Sequence, residues 1–294
     1  MDYIPAKHLL HRSKSTEWFG TDHTMNLYRG CCHGCLYCDS RSACYQNPDF
    51  DRVKAKADAL RLLRDDLARK AKPAFITMGS MSDPYNPFEE ELQLTRHALE
   101  LLDAYQFGAA IATKSDLIAR DIDVLSTMRE RVPVLCKITV TTTDEALAAQ
   151  LEPHAPSPVR RLEAVQKLAS AGIFTGILLM PVLPYLEDSV ENVLSVVEAA
   201  AQAGARFVYP AFGVTMRAGQ REYFLQRLAE LSPDLPGRYL RRYGDRYECP
   251  SPHAKALWTA FTRRCRELGL LYQMQHITAA YQRGYGERQL SFFD

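Results

Sequence analysis

No apolar run in this 294-residue chain approaches the ~18 residues that a helix needs to cross a bilayer. The longest, from Gly172 to Pro184, is broken by Gly176, Pro181 and Pro184. The opening stretch MDYIPAKHLLHRSKS lacks the continuous apolar segment of a secretory signal. An excess of one charge is missing too: 36 Lys and Arg face 35 Asp and Glu, a net of +1. That balance excludes a chain that is basic throughout and an acidic disordered one. Internal repeats and low-complexity segments are absent from the sequence. With 47% apolar residues, a chain of this length buries a full core without covalent staples. No membrane partner is expected. The expected location is cytoplasmic, where thiols stay reduced and clustered cysteines point to metal or catalysis.

Eight cysteines are present, unevenly placed. Cys136, Cys249 and Cys265 are scattered and read as small buried apolar side chains. Cys31, Cys32, Cys35 and Cys38 stand together, and Cys44 follows. No second pair lies downstream at finger or ribbon spacing. A structural zinc site would therefore draw its four ligands from Cys31, Cys32, His33, Cys35 and Cys38. The second template is Cys31-x3-Cys35-x2-Cys38, with Tyr37 before the last cysteine. Three thiolates on one tight loop hold three irons of a [4Fe–4S] cluster and leave the fourth open to another ligand. Gly30 and Gly34 suit a loop that wraps closely round such a group.

The rest of the chain reads as strands alternating with helices. Residues 24–29 lead into the cysteine loop as a first strand. Helical periodicity follows over 53–69, 88–105, 117–131, 157–171 and 190–203. Glu89, Glu90 and Glu91 favour the first turn of the second helix through its dipole. Gly172 and Gly204 close the last two helices. Strands are expected at 74–78, 109–113, 134–142, 174–180 and 206–210. Six β/α units imply an α/β fold with a parallel sheet, an open partial barrel rather than a closed eightfold one. Chemistry in such sheets sits at the carboxyl ends of the strands, where the cysteine loop falls. Composition shifts after 211. Residues 212–294 hold 13 Lys and Arg against 8 Asp and Glu, a net of +5, which leaves −4 for residues 1–211. The expected division is an amino-terminal segment (1–20), the barrel (21–211), and a mostly helical extension (212–294) ending in a tail (287–294). Alternating Arg and Tyr over 238–247 suit either phosphate contact and base stacking or a solvated helix face with tyrosines packed beneath.

The cysteine spacing resembles the signature of the radical S-adenosylmethionine (SAM) superfamily. The wider string from Asn26 to Cys38 is similar to the branch related to spore photoproduct lyase. Further blocks follow in family order: Gly79-Ser80-Met81-Ser82-Asp83-Pro84-Tyr85, Thr113-Lys114-Ser115, Leu151-Glu152-Pro153, Pro156-Ser157-Pro158 and Met180-Pro181-Val182-Leu183-Pro184. Together they cover roughly residues 20–215. The resemblance implies a partial (β/α)6 barrel of the radical SAM type. It implies Cys31, Cys35 and Cys38 as ligands of a [4Fe–4S] cluster, with Cys32 a bystander and His33 shaping the loop. SAM would bind the open iron, and reductive cleavage would yield a 5′-deoxyadenosyl radical that abstracts hydrogen from a substrate. The electron would come from an external donor such as flavodoxin or ferredoxin. Expected SAM contacts are Ser80, Ser82 and Asp83 after the second strand, Lys114 after the third, Thr139 or Thr141 after the fourth, and Met180 after the fifth. The branch implies DNA or another nucleic acid as the target. A small molecule or peptide as target, and a non-catalytic zinc-stabilised nucleic-acid-binding module, are the alternatives.

Spore photoproduct lyase returns a hydrogen atom from a cysteine near the end of its second strand. Ser80-Met81-Ser82-Asp83 contains none, so repair of that photolesion is not expected here, and Cys249 is the candidate replacement donor. The final segment Gln289-Leu290-Ser291-Phe292-Phe293 resembles the pentapeptide with which bacterial repair proteins dock on the DNA sliding clamp. A glutamine and two bulky apolar anchors on an extended tail suit pockets on such a partner.

Overall fold

The computed structural model describes residues 1–70, 72–283 and 285. Gln289, Leu290, Ser291, Phe292 and Phe293, and with them the clamp-docking expectation, lie outside the described residues. Two short strands, β1 (Asp2–Ile4) and β2 (Leu10–Arg12), precede β3 (His23–Met25), β4 (Tyr28–Arg29) and β5 (Lys54–Lys56). The central strands are β6 (Phe75–Met78), β7 (Gly108–Thr113), β8 (Val134–Thr139), β9 (Phe174–Leu179) and β10 (Phe207–Pro210). Two more, β11 (Gly213–Thr215) and β12 (Glu248–Pro250), pair with each other, antiparallel. The main sheet runs β10-β9-β8-β7-β6-β3-β2, with β2 antiparallel on the edge and the six other strands parallel. The six-unit α/β reading therefore matches the sheet.

Helices connect the strands: α1 (Ala59–Ala68), α2 (Glu89–Leu92), α3 (Leu94–Ala104), α4 (Ile122–Met128), α5 (Glu145–Leu151), α6 (Pro158–Ser170) and α7 (Val190–Gln202). Gly172 and Gly204 follow α6 and α7 at φ of 73° and 78°, as expected from the sequence, and the Ser157 and Ser189 side chains cap the starts of these helices. Elsewhere the long periodic segments are broken. The expected first strand divides, because Tyr28–Arg29 leaves the main sheet to pair with β5 in a small sheet behind the cysteine loop. The 53–69 segment gives up its first turns to β5. Gln93, in the left-handed region at φ 49°, separates α2 from α3. Glu89 is not a surface dipole partner: it is fully buried and accepts hydrogen bonds from Tyr28 Oη and, at 2.9 Å, the Thr95 amide.

Strand alternation divides the sheet into two faces. Ile76, Ile111, Cys136, Ile138, Ile177 and Val208 pack under the helices in the largest core. Phe75, Ala110, Leu135, Leu178 and Phe207 point the other way, into the lumen, and meet Phe19 and Tyr281 there. The extension is mostly helical, with α8 (Gln220–Leu231), α9 (Leu235–Tyr243), α10 (Ala254–Glu267) and α11 (Met274–Gln282). It divides its loyalties. Phe224, Tyr239, Tyr243 and Cys249 share a second core with Leu36 and Tyr37 of the cysteine loop. Leu257, Phe261 and Cys265 of α10 join the main core instead. Among the described residues no helix is long and apolar enough to cross a membrane.

Candidate active site

One cavity of about 610 Å³ opens at the carboxyl ends of the parallel strands. Cys31, Cys35 and Cys38 form part of its wall, and all three are free thiols. Two glycines set the loop. Gly30 (φ 83°) brings the backbone so close to its neighbour that a Cβ would lie 2.6 Å from the Phe50 carbonyl oxygen. Gly34 (φ 70°) rests on the Pro153 and His154 side chains, where a Cβ would lie 3.1 and 3.0 Å from them. The Leu36 amide donates to the Leu151 carbonyl (3.0 Å) and the His154 amide to the His33 carbonyl (3.1 Å). The Leu151-Glu152-Pro153 block is thus the surface on which the cysteine loop is laid.

Two buried carboxylates tie this loop to the strand ends. Asp83 receives Thr113 Oγ1 (2.6 Å) and the Tyr85 amide (2.9 Å) on one oxygen, and the Lys114 amide (2.8 Å) on the other. His33 Nε2 lies 3.0 Å from that second oxygen. Burial would raise the Asp83 pKa, but His33 and these donors overcome it and hold the carboxyl down at about 2. Glu152 pairs with Arg161 (2.5 Å), accepts from Tyr37 Oη, and lies 3.8 Å from Lys114 Nζ. Burial opposes its charge, yet Arg161 and Lys114 keep its pKa below the ordinary value. The Lys114 ammonium, 5.4 Å from the centre of the Tyr37 ring, is also retained: burial disfavours it, but Cys35 and Glu152 raise its pKa.

The expected site residues are not equally placed. Ser80, Ser82, Asp83, Lys114, Thr139 and Met180 all border the cavity. Ser82 is buried and donates to the Tyr28 carbonyl at 3.0 Å, and the Asp83 oxygens are occupied as described, so these two brace the loop. Thr141 lies beyond the end of β8, off the cavity wall, buried beside Glu187. Cys249 reaches the wall, but its side chain belongs to the second core and Sγ points to the Arg246 carbonyl at 3.7 Å. Burial pushes its thiol up to about 11. In the 238–247 stretch Tyr239 and Tyr243 are buried, whereas Tyr247 and Arg238, Arg241, Arg242 and Arg246 are exposed. Lys137, which sequence reasoning passed over, also borders the cavity. Its alternation with Leu135 and Thr139 on β8 was the available signal.

The donor set fits a cubane cluster. Three thiols border one cavity on a glycine-shaped loop, and burial pushes that of Cys31 to about 12 and those of Cys35 and Cys38 upward. Ligation of iron would displace those protons. A cubane presents a separate iron to each cysteine. Residues 25–197, more than half of the chain, match the model of the radical SAM superfamily. The chain belongs to the radical SAM superfamily. As a radical SAM enzyme it takes a [4Fe–4S] cluster and SAM as cofactors and needs a reductant. The zinc-stabilised, non-catalytic alternative built on Cys31, Cys32, His33, Cys35 and Cys38 is set aside. An uncharacterized protein of Mycobacterium tuberculosis is 32% identical over 228 residues, 75% of this chain and 67% of that one. Another, from Methanocaldococcus jannaschii, is 30% identical over 169 residues, 58% of this chain and 63% of its own. Among solved structures, spore photoproduct lyase complexed with dinucleoside spore photoproduct matches with a TM-score of 0.69 at 16% identity, covering 92% of this chain and 81% of that one. The radical SAM methyltransferase TsrM of Kitasatospora setae, with cobalamin and a [4Fe–4S] cluster bound, matches at 0.58 and 13% identity, covering 92% and 58%. The radical SAM barrel places the carboxyl strand ends and the cysteine loop on the same side, as the resemblance implied.

Proposed function

We propose that Cys31, Cys35 and Cys38 hold the cluster, that Ser80, Lys114, Thr139 and Met180 contact SAM, and that the target is DNA or another nucleic acid. One observation carries the reading: the three thiols and these four strand-end residues border a single cavity. Held by Cys31, Cys35 and Cys38, a cluster would supply the electron for reductive cleavage of SAM and so the means of hydrogen abstraction. This chain's residues do the rest. The Lys114 ammonium offers a partner to the SAM carboxylate. Thr139 offers a hydroxyl to the ribose, and backbone groups at Met180 meet the adenine. The β11–β12 pair borders the cavity and helps to exclude water from the radical.

Nucleic acid is supported by the fold shared with structures of spore photoproduct lyase bound to dinucleoside spore photoproduct. The net charge of +5 on residues 212–294 and their exposed arginines also suit phosphates. Spore photoproduct itself is a poor fit, since residues 79–83 supply no thiol and the Cys249 thiol lies in an apolar core. The cytoplasm, and a flavodoxin or ferredoxin as donor, suit a cofactor that must stay reduced. The test is anaerobic purification followed by reduction with SAM deuterated at the 5′ carbon. About four irons per chain, SAM cleavage and deuterium exchange with a nucleic acid are expected. Label in a small molecule or peptide would replace the target, and iron-free protein would end the reading. Clamp docking by Gln289–Phe293 is a separate proposal. A pulldown with the full chain and one ending at Glu287 decides it, and equal binding would refute it.

A further inference from the structure

The lumen of the barrel is layered. At its base the inward side chains are apolar: Phe75, Ala110, Leu135 and Phe207, closed over by Phe19 and Tyr281. One step further along β8 the inward residue is Lys137, and one step beyond that is Thr139. Lys137 is fully buried, yet it borders the cavity. Its neighbours across the sheet are Ala112 on β7 and Gly176 on β9, and the Phe207 ring lies over Gly176, so the open approach to Lys137 is from the cavity. Nζ is 3.5 Å from Thr77 Oγ1 on β6 and 4.6 Å from the centre of the Phe19 ring. Among the described residues no carboxylate forms an ion pair with it, in contrast to Lys114. The cavity's other titratable groups are the three loop cysteines, His33, Tyr37, Asp39, Asp83, Lys114, Cys249 and Glu248. Burial dominates the environment of Lys137, and the titratable neighbour that opposes it is the thiol of Cys136, behind the sheet.

A buried ammonium without an acid costs much free energy unless something else supplies the negative charge. The cavity side is where that charge can arrive. We infer that Lys137 and Thr77 form a subsite at the floor of the cavity for an anionic oxygen group, a carboxylate or a phosphate, of the molecule on which the radical acts. The inference rests on the reading of this cavity as the reaction chamber. It gives the substrate a polar anchor below the level of the cysteine loop. Burial drops the Lys137 pKa from 10.5 to about 7, so the amine is partly neutral in the free enzyme, and an arriving anion favours the protonated form. Binding at pH 8 then takes up a proton; at pH 6 the proton is already there.

The experiment is calorimetric titration of the cluster-loaded full chain, oxidised and saturated with SAM, so that Lys114 and the open iron are occupied. Sulfate stands for phosphate and acetate for carboxylate; neither titrates near pH 7. Two buffers of different ionisation enthalpy report proton uptake. Wild type is expected to bind one of the two anions about tenfold or more tightly than Lys137→Met at pH 6. Most of one proton should be taken up at pH 8 and little at pH 6. Lys137→Arg should bind the same anion with no proton uptake at either pH, because a guanidinium stays charged; this variant also answers for a Met variant that folds poorly. Whichever anion binds names the group. Equal binding by wild type and Lys137→Met, or unchanged proton uptake in Lys137→Arg, overturns the subsite. SAM cleavage by the reduced wild type tests the reaction chamber separately.

Discussion

The rim and the floor of the cavity treat buried charge in opposite ways. At the rim, Asp83 and Glu152 have their oxygens filled by donors from the cysteine loop, β7 and α6. These charges act as rivets: each joins segments distant in sequence, and none is left over for a ligand. At the floor, Lys137 has a hydroxyl, a ring and, among the described residues, no acid. A charge satisfied by the protein holds the protein together, and one left unsatisfied waits for something else.

The sharpest way to break this contrast is at the loop that the rim supports. Cys31→Ala, Cys35→Ala and Cys38→Ala should each abolish cluster retention and SAM cleavage, as read by iron content and 5′-deoxyadenosine release, whereas Cys32→Ala retains iron. Next comes the rivet itself. Arg161→Met strands the Glu152 carboxylate and should destabilise the chain by about 3–5 kcal/mol in denaturant titrations, and adding Glu152→Gln should recover part of it. The floor predicts the reverse sign. Lys137→Met should raise stability at pH 7 by about 2–3 kcal/mol, less than the full pKa displacement because interiors relax and admit water. Between about 7 and 10.5 the unfolded lysine holds a proton that the folded one has released, so wild-type stability should climb with pH across that window and the variant's should not. The smallest effect is Asp83→Asn, a loss of about 2 kcal/mol near neutrality. The Asp83 carboxyl is depressed from 3.8 to about 2, so its contribution is full above about pH 4 and fades as pH falls toward 2. A wild-type acid-unfolding curve that matched Asp83→Asn in that range would remove Asp83 from the rivets.

Much of the architecture was legible because the strands are short apolar runs, those of β6, β9 and β10 ended at or near glycine or proline, and because Gly172 and Gly204 close α6 and α7. Periodicity misled where tertiary contacts broke a helix. Gln93 turns left-handed because Glu89 is drawn inward to Tyr28, Thr95 and Arg120, and nothing local in Glu-Glu-Glu reveals which glutamate will be buried. The cysteines could be read from spacing, since all three sit on one continuous loop. The rivets could not. Asp83 and His33, or Glu152 and Tyr37, meet only after the sheet has formed. Thr141 failed to reach the cavity because β8 ends at Thr139, and a threonine two residues later belongs to a different wall. Lys137 was visible as a lysine inside an apolar strand and was hidden only by its β-branched company.

The lumen is sealed from below by the last described helix. The Leu271 amide donates to Arg206 and its carbonyl accepts from Val208 of β10, while Tyr281 of α11 donates to the Phe19 carbonyl and stacks on Phe75. During synthesis, therefore, all six parallel strands leave the ribosome before the plug that closes them. The nascent barrel spends that interval with an open base, and the order of events in the cell makes α11 the step that turns a folded sheet into a sealed chamber.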